Sequence, residues 1–384
     1  MKDKTHIYYW SPFISNVATV NAVLGSVRSL KAYSNQKYVP HIINAAGEWN
    51  KYTKELNDNG INIIQLSNSK IIDNSNFTGF FRSRLIYLYL FFILFIPLLR
   101  LLRKSPPDYL IIHLITPLPL LLNYIFNIKT KIILRISGLP KLNFIRKFFW
   151  KKTLKKIYHV TCPTNSTTSY MQELKMISSE KISTLYDPIL STKSINKIKS
   201  KRTSFEFNNF YLAIGRLTKQ KNFKFLIEVF SEFLKTCDNS LIIIGEGEQK
   251  DSLQKFVEKK NLKDKIILIG YKDNVFEYFE KSKCFILSSL WEDPGFVLVE
   301  SAYMNTPIIS SDCDNGPKEI LGHGSNGILF KSNDKASLLD ALHKFENMDQ
   351  NIINKKLLDC KKGIKVFTYF NHFKSLEKIL YENL

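Results

Sequence analysis

The sequence predicts an α/β protein with two doubly wound parallel sheets in two domains, and three observations carry that prediction. The chain has 384 residues, more than one core comfortably encloses and enough for two domains of ordinary size. Its apolar runs are short and unbroken, as in strands buried on both faces. Between the runs lie segments long enough for helices, several with apolar positions at helical spacing. A composition of 45% hydrophobic, 23% charged and 13% aromatic residues is that of a folded chain.

Taken in order, "THIYYWSPF" reads as a strand closed by a proline turn, and "NVATVNAVLGSVRSLKAYS" as the helix after it. "YVPHIINAAGE", "INIIQLS", "DYLIIHLI" and "KIILRIS" read as the next strands. The most apolar segment, Leu85 to Leu99, is fifteen residues long with Pro97 inside it, short of the roughly 20 that a spanning helix needs. It reads as a helix that either covers the sheet or sinks partly into lipid. Polar, basic "TKSINKIKSKRTSFEFNN" reads as a linker, which sets the domains at 1–190 and 210–365 with 191–209 between them. "FYLAIG", "SLIIIG", "KIILIG", "CFILSS" and "PIISS" are the strands of the second domain, separated by helical segments. In such sheets ligands bind at the carboxyl ends of the strands, so the loops that follow them are the place to look.

Net charge is +21, and between Asn74 and Gln172 fifteen Lys and Arg face a single acid, Asp108. Such a field attracts a polyanion: nucleic acid, an anionic membrane leaflet or a phosphorylated substrate. Within it, "KLNFIRKFFWKKTLKKIYH" mixes Phe144, Phe148, Phe149 and Trp150 with Lys147, Lys151, Lys152, Lys155 and Lys156. A basic helix carrying aromatics suits anionic headgroups, with the rings at the interface. The same pattern also fits a helix whose rings face the core and whose lysines are solvated. The five cysteines are scattered without metal-ligand spacing, and "MKDKTHIYYWSPF" lacks the apolar stretch of a signal peptide. Both features fit reduced thiols and a cytoplasmic location.

Three constellations could carry chemistry. Gly215 ends a strand, and Arg216 and Lys221 occupy the loop into the next helix, where a phosphate would meet two cations and free amides. Gly245 and Gly247 in "IIIGEGE" let backbone approach a ligand, without the dinucleotide fingerprint. "WEDPGFVLVESAYMN" puts Gly295 and Phe296 at a helix start, with Glu300 a turn further on and Glu292 across the turn. Amides there would face a phosphate while Glu300 accepts from ribose hydroxyls.

"GRLTKQKN", "IIIGEGE", "SSLWEDPGFVLVESAYMNTPIISSDCDNGPKEIL" and "GSNGILF", in this order and spacing, resemble the C-terminal domain of the retaining glycosyltransferases of family 4. The resemblance implies the GT-B fold, two Rossmann-like doubly wound domains facing a cleft. It makes Glu292 and Glu300 the family's E-x(7)-E pair, Glu292 on the donor sugar and Glu300 on the ribose. Gly295 and Phe296 would offer amides to the sugar and diphosphate, while Arg216 and Lys221 neutralise the leaving diphosphate. "PDYLIIHLITPLPLLL" resembles the strand that brings a histidine to the cleft, which nominates His113. Where many relatives carry a Gly-Gly pair this chain has "SPFISNVATV", in which Ser15 and Asn16 are the candidate substitutes. "FNHFKSLEKILYENL" resembles the helix that returns to the first domain, giving 366–384 that role. Asp312 and Asp314 form a D-x-D string, but the resemblance implies a metal-independent enzyme without cofactor.

The expected function is therefore transfer of a sugar, from a UDP-sugar, to a saccharide or polyprenyl-diphosphate-linked acceptor in O-antigen or capsule synthesis, on the inner face of the cell membrane. The other readings are a GDP-sugar-dependent transferase, a GT-B nucleotide-sugar epimerase, and a noncatalytic basic protein that binds membrane or nucleic acid. No nucleic-acid motif accompanies the last.

Overall fold

Strands form where the apolar runs predict them, and each sheet is wholly parallel. The computed structural model describes residues 4–14, 18–67, 80–140, 142–191, 195–196, 207 and 209–381. Among them, β1 (Thr5–Trp10), β2 (Tyr38–Asn44), β3 (Asn62–Gln65), β4 (Tyr109–Ile112), β5 (Lys131–Arg135), β6 (His159–Cys162) and β7 (Ile182–Thr184) make one sheet, ordered β3-β2-β1-β4-β5-β6-β7. A second sheet comprises β8 (Phe210–Ile214), β9 (Ser240–Ile244), β10 (Ile266–Leu268), β11 (Cys284–Leu287), β12 (Ile308–Ser311) and β13 (Ile328–Phe330), ordered β10-β9-β8-β11-β12-β13. β6, β7 and β13 go beyond the strands named from the sequence. They are three or four residues long, and two of them, "HVTC" and "IST", carry polar residues that break the apolar signal.

Alternate residues of each strand serve opposite faces of the first sheet. Trp10, Leu110, Ile112, Ile132 and Leu134 join one core, and Ile7, Tyr9, Tyr109, Ile111 and Ile133 another. Both faces are thus covered, as continuous apolarity requires.

The chain divides into one compact unit of residues up to Pro188 together with the helix Tyr369–Tyr381, and another of Ile189–Thr368. Most of the expected linker lies outside the described residues. Where the chain enters and leaves the second unit, the amides of Ile189 and Leu190 both donate to the Phe367 carbonyl.

The last helix is held on the first unit by polar as well as apolar contacts. Phe373, Leu376, Ile379 and Leu380 enter the core containing Val20, Val23, Leu24 and Val27. His372 Nδ1 lies 2.7 Å from the Tyr186 carbonyl. A carbonyl only accepts, so Nδ1 carries the hydrogen and Nε2 accepts from Ser26 Oγ at 2.8 Å. Ser26 in turn accepts from the Tyr9 hydroxyl at 2.8 Å. Burial lowers the His372 pKa to about 3, which keeps the ring neutral in this chain of bonds.

The apolar segment Leu85 to Leu99 is two helices, Phe80–Ile93 and Phe95–Lys104, bent by 43°. Pro97 is the third residue of the second helix, where its missing N–H leaves no intrahelical bond unmade. No single described helix is long and apolar enough to cross a membrane. The helix Phe144–Thr153 corrects one expectation: Trp150 is not at the surface but buried in the core with Leu154. Six positions are about 1.7 turns, which carries Trp150 roughly 120° round the helix from the exposed Phe144 and turns its ring into the core. Phe144, Ile145 and Phe148 are exposed, as are Lys147, Lys151, Lys152, Lys155 and Lys156.

Candidate active site

Each sheet reverses its winding once. The neighbours at the reversal are β1 and β4 in the first sheet and β8 and β11 in the second, and the carboxyl ends of such pairs are where open α/β sheets bind ligands.

After β8 and β11 the two loops are tied together. Leu290 N donates to the Gln220 carbonyl at 2.8 Å, Gln220 Nε2 to the Trp291 carbonyl at 2.9 Å, and Ser288 Oγ to the Lys221 carbonyl at 2.8 Å. This lacing brings Lys221 to Glu292, 71 positions away, with Nζ 2.5 Å from Oε1. Ser289 Oγ donates to the same oxygen at 2.5 Å. The pair is largely withdrawn from water, with side-chain exposures of 13% and 5%. One carboxylate oxygen is thereby saturated, whereas the lysine keeps donors in hand. Gly215 leaves the room this needs, since a Cβ there would stand 3.1 Å from the Lys221 side chain.

Arg216 is exposed, and Glu300 is half-buried in the helix Phe296–Tyr303. Neither side chain has a hydrogen-bonding or ionic partner among the described residues. Burial pushes the Glu300 pKa up to about 7, as expected of a carboxyl group without a compensating donor. Gly295 caps that helix with φ +95°, a left-handed conformation that favours glycine. The amides of Phe296 and the residue after it head the helix without intrahelical partners.

The glycines after β9 pack backbone on backbone. A Cβ on Gly245 would lie 1.9 Å from the Gly215 carbonyl oxygen, and one on Gly247 2.4 Å from that of Leu217. Gly245→Ala is expected to destabilise the protein by about 1–3 kcal/mol, read as a lower denaturant midpoint. An unchanged midpoint would mean that the two loops part freely.

Asp312 braces its own loop, Oδ1 accepting from Ser332 N at 2.8 Å and Oδ2 3.5 Å from Lys318 Nζ. Asp314 pairs by backbone with Trp291. Burial pushes the Cys313 thiol up to about 12, so it stays protonated.

In the first unit, His113 follows β4 and its amide donates to the Trp10 carbonyl of β1 at 2.9 Å, at the reversal point. Both ring nitrogens are buried without hydrogen-bond partners among the described residues. Burial first, then the Arg135 charge, lowers its pKa well below the usual range, so the ring is neutral. Ser15 and Asn16 lie outside the described residues.

Sequence reasoning missed Ser289 and Gly316. Gly316 has φ +138°, and a Cβ there would fall 2.0 Å from the Pro294 carbonyl oxygen. The serine doublet before "LWE" and the glycine in "DNGP" are visible signals, but only the folded loops give them partners.

Residues 194–365 match the family model described as "Glycosyl transferases group 1". The second unit is a group 1 glycosyltransferase domain. The chain is 31% identical over 245 residues to an uncharacterized glycosyltransferase, MJ1059, of Methanocaldococcus jannaschii, covering 58% of this chain and 60% of that protein. It is 32% identical over 170 residues to the N-acetylgalactosamine-N,N'-diacetylbacillosaminyl-diphospho-undecaprenol 4-alpha-N-acetylgalactosaminyltransferase of Campylobacter jejuni, covering 43% and 44%. The chain thus spans about half the length of the curated relatives it matches. Among solved structures it resembles Anabaena HepE, determined in complex with UDP and glucose, with a TM-score of 0.69 and 13% identity over 98% of this chain and all of that one. The two doubly wound sheets are those of the GT-B fold, and the group 1 domain contains the whole Glu292, Glu300, Arg216 and Lys221 constellation.

Proposed function

We propose that the protein transfers a glycosyl group from a nucleotide diphosphate sugar to a saccharide acceptor. The observation that carries this reading is the pairing of the buried Lys221–Glu292 bridge with two ionisable side chains that have no partner among the described residues, Arg216 and Glu300, in one group 1 domain. Glu300 would accept from the ribose hydroxyls, and Glu292 would hold the donor sugar through its second oxygen. Arg216, Lys221 and the amides after Gly295 would take up the negative charge that develops on the departing diphosphate. Transfer is read as retaining, hexosyl and metal-independent, with Asp312 and Asp314 left to their loop. His113, whose neutral ring can donate one hydrogen bond and accept another, is assigned to donor contact. Ser15 and Asn16 are assigned to the donor phosphate side.

Support for a UDP-sugar comes from the UDP complex of the Anabaena protein. The diphospho-undecaprenol in the Campylobacter enzyme's name supports a lipid-diphosphate acceptor and work on surface polysaccharide such as O-antigen or capsule. The cations of the helix Phe144–Thr153 and of Lys155 and Lys156 would then face an anionic inner membrane leaflet, leaving no role for nucleic acid.

Calorimetry with UDP and GDP in EDTA tests the donor. Micromolar binding of UDP and much weaker binding of GDP is expected. Preference for GDP would change the donor class, and binding of neither would remove the transferase reading.

A further inference from the structure

The helix Phe80–Ile93 carries apolar residues on two sides from Leu85 onward, and Phe95–Lys104 continues its outer face with Ile96 and then the exposed cations Arg100, Arg103 and Lys104. Leu90, Leu94, Leu98 and Leu102 are buried in the core. On the outside, Leu85 and Phe92 are 67% and 66% exposed, and Leu88, Tyr89 and Ile96 are also exposed. A helix with apolar residues on its outer as well as its inner side belongs inside a protein or against lipid, and among the described residues nothing buries these outer side chains. Contiguous exposed apolar surface of this kind marks a contact face rather than a chance scatter.

Neighbouring helices extend the surface and supply its charge. Phe95 meets Phe126 with ring centroids 6.3 Å apart, and Arg103 lies 4.8 Å over the same ring. Tyr124, two residues earlier, accepts at its carbonyl from Lys156 Nζ at 3.0 Å, which joins the apolar face to the lysines that follow the helix Phe144–Thr153. From Arg84 to Lys156 the only acid is Asp108. It is engaged at the amino-terminal edge of the sheet, accepting from the His6 amide at 2.7 Å.

We propose that the outer face of this bent helix pair lies in the plane of an anionic bilayer, its apolar side chains among the acyl chains and the surrounding cations at the phosphates. Charge decides the occupant. A second copy of this chain would bring cations against cations, whereas an anionic leaflet complements them. Packing decides the mode: Leu90, Leu94, Leu98 and Leu102 are committed to the protein core, so only one face of the bent pair is left for lipid, which fits an interfacial position rather than a span. The proposal rests on the membrane-facing reading above and adds insertion to it.

Insertion and surface attraction respond differently to salt, because only exposed charges are screened. The full chain is mixed with phosphatidylcholine vesicles containing 30% phosphatidylglycerol at about 0.15 M and 1 M NaCl and sedimented. A substantial fraction is expected to stay bound at high salt. The variant Leu88→Ser/Phe92→Ser/Ile96→Ser is expected to partition at least about tenfold less and to lose the salt-resistant fraction, with UDP affinity unchanged. The reversal Lys151→Glu/Lys152→Glu is expected to weaken binding at low salt while leaving part of the salt-resistant fraction. Equal partitioning of the serine variant and the parent would overturn the proposal, as would a lipid-free dimer that the serine variant abolishes. UDP binding is scored separately, so a parent that binds vesicles but not UDP would sink the transferase reading and leave insertion standing.

Discussion

A Lys221→Met variant is expected to turn over about 100- to 1,000-fold more slowly than the parent, the scale seen when one fixed charge-stabilising donor is removed from a reaction centre. Donor affinity should change far less, because the lysine's advantage grows as the diphosphate leaves. The substitution also strands Glu292, which is 5% exposed and then has only Ser289 at its Oε1. An uncompensated buried charge destabilises by about 3–5 kcal/mol, so slow turnover alone could reflect a loosened loop. The double variant Lys221→Met/Glu292→Gln, compared with Glu292→Gln alone because Glu292 is itself assigned to the donor sugar, separates the two effects. Its denaturant midpoint should recover most of the loss, since neither partner is then charged, while turnover stays low. A double variant as active as the parent would remove Lys221 from the chemistry.

Glu300→Gln is expected to weaken UDP binding by about 10- to 100-fold, the scale of hydrogen bonds to a charged acceptor. Its pH behaviour is the sharper test. With a folded pKa of about 7 against an ordinary value of 4.5, the parent must lose a proton to present a carboxylate. Its UDP affinity should therefore fall as pH drops below about 7, whereas the glutamine variant should show no such step. Stability runs the other way. Between pH 4.5 and 7 the folded state holds a proton that the unfolded chain has released, so stability declines as pH rises through that window. Glu300→Gln should then be more stable than the parent at pH 8, by on the order of 2 kcal/mol, and equal to it near pH 4. We take less than the full shift because part of the side chain remains accessible. A variant that binds UDP as tightly as the parent would end the ribose assignment.

Much of this architecture is legible from local pattern. Runs such as "YLII", "SLIII" and "CFIL" are apolar on both faces, so they place the strands and imply parallel pairing. The carboxylates, the cations and Gly215, Gly245, Gly247 and Gly295 of the second unit are visible because the motifs that hold them are local, whereas Gly316 acquires its role only from the Pro294 backbone beside it. The Lys221–Glu292 bridge is not, because it depends on β8 and β11 becoming neighbours across the sheet's reversal. Trp150 shows the same limit. Phenylalanines precede it and lysines follow it in the sequence, and only the packing of its helix against the core decides which way the ring turns. The break at Leu94 is half-legible: Pro97 announces it, but the position of the new helix start does not follow from proline alone.

The docking of Tyr369–Tyr381 has a consequence for biosynthesis. The first unit's strands are all made by Thr184, yet the helix that covers Val20, Val23, Leu24 and Val27 is complete only at Tyr381. At about 5–20 residues per second, a ribosome needs roughly 10–40 s to cover that distance. For that interval the nascent amino-terminal half exposes an apolar groove and a Ser26 hydroxyl still without its His372 partner, while the second unit, contiguous in the chain, is free to fold first.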